Sequence, residues 1–213
     1  MGALEGQVVG VIGLGYVGLP LAEAVSGAGA RVIGLDSSPS VIERLSSGSS
    51  HVADVSDGAV ADMLAAHATF TTDVAELASC QVFVICVPTP LKDKYPDLSA
   101  VLAATEAVGA ALSADDLVVL ESTTYPGTTQ DVVAPLLERT SNLVPGRDFH
   151  LAFSPERIDP GNVSFGIRNG IAQRQMHRLG ECIEPLRPIE CDDAVAWLLL
   201  DQDRFLVHRC PRR

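Results

Sequence analysis

The run Gln7–Ala22, QVVGVIGLGYVGLPLA, constrains the fold of this chain more than any other stretch. It opens as a short apolar run rich in β-branched residues, which reads as a strand. It then passes Gly13, Gly15 and Gly18 in the pattern G-L-G-Y-V-G and continues as a helix. Gly13 permits a tight turn, Gly15 presents bare backbone, and Gly18 lets the helix pack close to the strand. The free N–H groups and positive dipole end of that helix suit a phosphate group above the turn. Arg31–Asp36, RVIGLD, reads as the next strand and ends in an acid. Asp36 stands about 20 residues after the glycines, where a carboxylate would hold ribose hydroxyls. Strand, glycine turn, helix and acid together predict a dinucleotide-binding α/β unit. The plainer alternative is a glycine-rich turn in an ordinary α/β protein, with Asp36 a solvated strand end.

Strands and helices continue to alternate. Strands are expected at about Val8–Ile12, Val32–Leu35, Thr69–Thr71, Gln81–Val87, Leu117–Leu120 and Phe149–Phe153. Helices are expected from the glycine turn to Ala28, and over Ser40–Leu45, Asp57–His67, Val74–Ala78, Leu98–Leu112 and Gly127–Arg139. Short connections between such units imply a Rossmann-type, doubly wound, mostly parallel sheet. Ligands of such sheets lie beyond the carboxyl ends of the strands. Asp36, Pro88–Pro90, Glu121–Thr124 and Ser154–Arg157 all follow expected strands, so the pattern places them on one rim. The core that 213 residues with 47% hydrophobic and 5% aromatic content can build is one of Val, Ile, Leu and Ala, as parallel strands buried on both faces require.

A formal net charge of −12 argues against a nucleic-acid binder, which would want a basic face. Cys80, Cys86, Cys182, Cys191 and Cys210 show no metal-ligand spacing, and an odd count without a framework fits a reducing compartment. The N-terminus lacks the basic segment of a signal peptide. The apolar run from Val8 is broken by four glycines, a tyrosine and a proline, which argues against a membrane span. A soluble cytoplasmic protein is expected. Residues 163–213 carry eight Arg, no Lys and seven Asp or Glu, and their pattern no longer alternates strand and helix. Two regions are expected: residues 1–162 as the nucleotide-binding domain and 163–213 as a divergent tail.

Four motifs, VIGLGYVGLPLA, VICVPTPL, ESTTYPGTT and FSPERIDPGN, stand together with GSSHVADVSD in the loop after the second strand. Over about residues 7–169 this set resembles the UDP-glucose/GDP-mannose, or nucleotide-sugar, dehydrogenase family. The SPER-x-x-PG form is most similar to the branch that acts on UDP-N-acetylhexosamines such as UDP-N-acetylmannosamine or UDP-N-acetylglucosamine. The resemblance implies NAD as cofactor and a UDP-sugar as substrate. It implies oxidation of the sugar C6 alcohol to a carboxylate in two hydride transfers, through an aldehyde held as a cysteine thiohemiacetal. It assigns Gly13, Gly15, Tyr16, Val17, Gly18, Asp36, Pro88, Thr89, Ser122 and Thr123 to the cofactor. Thr123 also matches a threonine that helps hold a water near the reacting carbon. Glu156 matches an acid near the nicotinamide end, and Arg157 and Ile158 match a substrate-contacting pair. No metal is implied.

The residues themselves agree with those roles. Removing a hydride from an alcohol needs a group to take the hydroxyl proton, and a carboxylate at a partly buried rim, such as Glu156, can serve. The planar fork of Arg157 suits a diphosphate or sugar oxygens. Plainer readings stand beside these: Glu156 and Arg157 as a local ion pair, Thr123 as a helix N-cap, Cys86 as core, and His51 and His67 as surface. Beyond about Gly170 the likeness stops. The family's G-x-G-x-G-G-H-C-x-P-x-D segment, its central helical dimerisation region and its second nucleotide-sugar-binding domain have no counterpart. His208-Arg209-Cys210-Pro211 lacks the glycines and the acid and is read as coincidence. A truncated or frame-shifted member of the family is expected. The competing readings are an NAD-binding module without full catalysis, a UDP-glucose 6-dehydrogenase, and a Rossmann dehydrogenase of the hydroxyacid type.

Overall fold

The computed structural model describes residues 4–92, 95–154, 197–201 and 204–208. Strand β1 (Val8–Ile12) leads through the glycine turn into α1 (Gly18–Gly27). Then come β2 (Arg31–Leu35), α2 (Pro39–Ser46), α3 (Asp57–Ala65) and β3 (Thr69–Thr71). A 3-10 segment, Val74–Ser79, precedes β4 (Val82–Ile85). The two-residue strands β5 (Leu91–Lys92) and β6 (Tyr95–Pro96) follow. After them come α4 (Ser99–Ala111), β7 (Leu117–Leu120), α5 (Ala134–Ser141) and β8 (His150–Phe153). Near the C-terminus, β9 (Trp197–Asp201) and β10 (Arg204–His208) pair antiparallel.

Six strands form one sheet in the order β3-β2-β1-β4-β7-β8, every pair parallel. Numbered among themselves they run 3-2-1-4-5-6, the doubly wound dinucleotide-binding order, which reverses direction between β1 and β4. Side-chain alternation explains how the sheet acquires two cores. Val9 and Val11, Val32, Val82 and Val84, and Leu117 and Val119 face one side. There they pack with Leu19, Leu21 and Val25 of α1, Leu45 of α2, and Val60 and Met63 of α3. Ile12, Ile33 and Leu35, Phe83 and Ile85, and Val118 and Leu120 face the other. They meet Val101, Ala104 and Val108 of α4 and Leu137 of α5. Both faces are covered, so the strands are apolar throughout rather than alternating with polar residues.

Local chemistry sets the element ends. Pro39 occupies the first turn of α2, and the Ser56 hydroxyl caps α3 by accepting from the Ala59 N–H at 3.1 Å. His67 adopts φ 65° just after α3, which stops that helix short of its expected end. The single helix expected over Gly127–Arg139 is instead a π-helical turn, Thr129–Val133, leading into α5. Pro135 supplies the reason: it has no N–H to donate, and its ring crowds the carbonyl four residues back, so the turn there widens.

Candidate active site

The sheet register brings the strand ends into line. Ile12 pairs with Leu35 on one side and Ile85 on the other; Ile85 pairs with Leu120, and Leu120 with Phe153. The next N–H of each strand continues the ladder. Asp36 donates to Thr71 O at 3.1 Å, Gly13 to Leu35 O at 2.8 Å, and Cys86 to Ile12 O at 2.8 Å. Glu121 donates to Ile85 O and Ser154 to Leu120 O, both at 2.9 Å. Asp36, Gly13, Cys86, Glu121 and Ser154 therefore stand in one row, five strands wide. At about 4.8 Å per strand the row spans roughly 19 Å. The rim inferred from sequence exists as far as Ser154, and the point where strand order reverses lies within it.

At the glycine turn the three glycines differ in what surrounds them. Gly13 has φ +93°, and a Cβ there would lie 2.9 Å from the Cys86 carbonyl oxygen and 3.1 Å from Val87 Cγ1. A Cβ on Gly18 would overlap the Gly13 carbonyl oxygen and sit 3.3 Å from Cys86 Cβ, so α1 is pressed against both the turn and the residue that follows β4. Gly15 is exposed, and a Cβ there would meet nothing within 4 Å. Two glycines are thus required by the fold, and the third leaves space above bare backbone. No side chain caps α1 and its first turn holds no acid, so its positive end meets no compensating side-chain charge there. Tyr16 is 55% exposed beside that opening, with Val17 half-buried behind it.

Asp36 joins the two motifs. Its Oδ2 accepts the Leu14 N–H at 2.9 Å, and its Oδ1 accepts the Ser38 N–H at 2.9 Å. A carboxylate offers about four acceptor positions, so each oxygen keeps one for a ribose hydroxyl. The residues present fit a dinucleotide: a carboxylate aimed from β2, a turn a Cβ would block, and an open helix end between them.

Across the reversal point, the loops after β4 and β7 meet. Ser122 is buried and donates its hydroxyl to Val87 O at 2.7 Å; the Thr89 hydroxyl donates to Thr123 O at 2.5 Å. Pro88 and Thr123 are exposed, and Thr89 half-buried. Thr123 is not the N-cap it resembles in sequence. That turn is held by Thr128, whose hydroxyl donates to Tyr125 O at 2.8 Å. Beside these loops Lys92, Tyr95, Pro96, Asp97, Leu98 and Tyr125 line an open cleft of about 700 Å³. Asp97 Oδ1 accepts the Ser99 N–H at 2.9 Å just ahead of α4, a bond that holds its carboxyl below the ordinary range. Sequence reasoning missed this cleft. The hairpin that forms it has two-residue strands, too short for any periodic signal, though Leu91 and Tyr95 are 74% and 76% exposed.

Glu156, Arg157 and Ile158 lie outside the described residues. Ser154, just before them, is on the rim. Cys80 and Cys86 are buried, as expected, and burial, with Asp116 adding to it, pushes the Cys80 thiol up to about 12. Among the described residues no cluster of His, Cys, Asp or Glu could hold a metal ion, and no helix is long and apolar enough to cross a membrane.

The strand order, the glycine turn and the acid at the end of β2 define a Rossmann-type NAD-binding domain. The family model for the NAD-binding domain of UDP-glucose/GDP-mannose dehydrogenases matches residues 7–170. The chain belongs to that family. It is 37% identical over 162 residues to the UDP-N-acetyl-D-glucosamine 6-dehydrogenase of Salmonella typhi, covering 76% of this chain and 37% of that protein. It is 39% identical over 157 residues to the UDP-N-acetyl-D-mannosamine dehydrogenase of Pyrococcus horikoshii, covering 73% of this chain and 37% of that one. Among solved structures, the UDP-D-ManNAc dehydrogenase of Pyrococcus horikoshii superposes with a TM-score of 0.69 at 38% identity. That match covers 74% of this chain and 38% of the other. The chain spans little more than a third of the length of the curated relatives it matches.

Proposed function

We propose that this chain is the NAD-holding part of a nucleotide-sugar 6-dehydrogenase acting at C6 of a UDP-N-acetylhexosamine. The observation that carries the reading is the single row of strand ends, with the glycine turn and Asp36 on one side of the reversal point and the Thr89 and Thr123 loops on the other. Family membership and the printed activities of the relatives support the substrate class. NAD, when bound, supplies the hydride acceptor. The chain's own residues do the rest. Gly13 and Gly18 set the turn, and Gly15 and the first N–H groups of α1 receive the diphosphate. Asp36 accepts the adenosine ribose hydroxyls, with Tyr16 and Val17 beside it and Pro88, Thr89, Ser122 and Thr123 beyond the turn. Thr123 and Glu156 hold a water and take the hydroxyl proton, and Arg157 and Ile158 meet the substrate. Residues 1–162 form the NAD-binding domain, with 163–213 a divergent tail, and the odd cysteine count without framework spacing supports a cytoplasmic protein.

A second reading, an NAD-binding module that does not complete the oxidation, is favoured by one observation. The described cysteines, Cys80 and Cys86, are both buried, and a buried thiol does not serve as the activated thiolate that the second oxidation needs. Titration with NAD, alongside an assay of NADH formation with UDP-N-acetylglucosamine, UDP-N-acetylmannosamine and UDP-glucose, tests both. NAD binding with NADH formation supports the dehydrogenase; NAD binding without it supports the module. A folded chain with no affinity for NAD contradicts both.

A further inference from the structure

The loops after β4 and β7 are joined by side chains where the sheet no longer joins them. The Ser122 hydroxyl, on a residue only 4% exposed, donates to Val87 O at 2.7 Å, and Ile85 O lies 3.4 Å from it. The Thr89 hydroxyl donates the other way, to Thr123 O at 2.5 Å. One bond runs from the β7 loop to the β4 loop and the other returns. Neither belongs to a helix cap or a local turn, since the partners are more than thirty residues apart in sequence. A hydroxyl has one proton. With that proton given to a main-chain carbonyl, each of these side chains keeps only acceptor capacity toward a ligand.

The clamp has a definite place on the rim. Asp36 stands on the β2 side of the reversal point, and the clamped loops stand on the β4 and β7 side. A dinucleotide with one ribose on Asp36 and its diphosphate over Gly15 lays its other half across these loops. We propose that Thr89 and Ser122 are positioning residues, a reciprocal hydroxyl-to-carbonyl clamp that sets Thr123 against Pro88–Pro90 and pre-forms the wall for the nicotinamide ring of NAD. The proposal rests on the dinucleotide reading. Its physical content is pre-organisation: loops already fixed in the free protein lose less freedom when ligand arrives.

The alternative is that the clamp serves folding alone, and a pair of ligands separates the two. ADP-ribose carries the adenosine, diphosphate and second ribose but no nicotinamide. Calorimetric titrations with NAD and with ADP-ribose are made on the full chain as wild type, Thr89→Val, Thr89→Ser, Ser122→Ala and the Val–Ala double variant, with thermal melts of each free protein. The clamp predicts that Thr89→Val and Ser122→Ala each weaken NAD about threefold to tenfold, the range of one lost hydrogen bond. ADP-ribose should change by less than about twofold, within the spread expected of sites that are not coupled. Thr89→Ser keeps the hydroxyl and should bind NAD as wild type does, and the double variant should lose less than the product of the two single losses. Unchanged NAD affinity in Thr89→Val, or equal loss for both ligands, overturns the proposal while leaving the dinucleotide reading intact. Thr89→Val carries the test on its own if Ser122→Ala melts before titration. A folded wild type that binds neither ligand overturns the dinucleotide reading and the clamp with it.

Discussion

Gly15→Ala separates binding from folding at the glycine turn. In the free protein a Cβ at Gly15 meets nothing within 4 Å, and its φ lies outside the left-handed region, so the methyl strains nothing. Replacing glycine at such a position stabilises a protein by about 0.4–1 kcal/mol, because the unfolded chain loses freedom. For a chain of this size that is a rise in Tm of roughly 1–4 °C. The same methyl occupies the proposed approach of the diphosphate to bare backbone. Crowding a close contact by one methyl costs about 1–3 kcal/mol, which weakens NAD about 5- to 150-fold. Gly13→Ala is the contrasting case. It combines a φ of +93° with a Cβ 2.9 Å from the Cys86 carbonyl oxygen. The left-handed backbone costs about 1–2 kcal/mol and the overlap about 1–3 more. Tm should fall by roughly 4–20 °C. Differential scanning fluorimetry reads the free proteins and calorimetry reads NAD. Wild-type NAD affinity in a folded Gly15→Ala protein, or a loss of Tm matching that of Gly13→Ala, would refute the assignment of Gly15 to the diphosphate.

Asp36→Asn keeps the shape of the side chain but removes the charge proposed to receive the ribose, so NAD should weaken about tenfold or more and the preference for NAD over NADP should narrow; Kd values for both cofactors decide it. Burial raises the Cys80 thiol from 9.0 to about 12, so the native protein should leave it unreactive to a thiol reagent at pH 8 and react there only once unfolded. Above pH 9 the unfolded thiol loses its proton while the native one keeps it. Stability therefore falls toward pH 12, by about 1.4 kcal/mol per pH unit at most, and Cys80→Ala should flatten that limb in urea titrations. The Arg147 guanidinium, with the Val144 N–H, holds the Asp148 carboxyl down from 3.8 to about 2. Its contribution is present above pH 3.8 and is lost as pH falls through about 2. Asp148→Asn should lower Tm at neutral pH and shrink the fall in Tm on acidification across that window.

Most of the frame was legible in the sequence because it depends on neighbours in the chain. The β-branched run before Gly13, the glycine spacing and Asp36 carry their own geometry, and parallel pairing with a common register then aligns the strand ends. The π turn at Thr129–Val133 was not legible, since the periodicity of Gly127–Arg139 outweighed the single signal of Pro135. The Ser122 and Thr89 bonds were invisible for a different reason. Which carbonyl a hydroxyl reaches more than thirty residues away is decided by the docking of β4 beside β7, and the family resemblance implied only their general assignment to the cofactor. The link between Leu14 and Asp36 is of the same kind: the acid was found by its spacing, but its bond back into the glycine turn appears only once β2 lies beside β1.

A melt of the purified chain in rising NAD tests the central claim most directly. A ligand held by the native fold at a hundred times its Kd stabilises it by about 2.7 kcal/mol, so Tm should climb roughly 5–11 °C in NAD and far less in equal NADP. A cooperative melt whose midpoint stays fixed in saturating NAD would contradict the account.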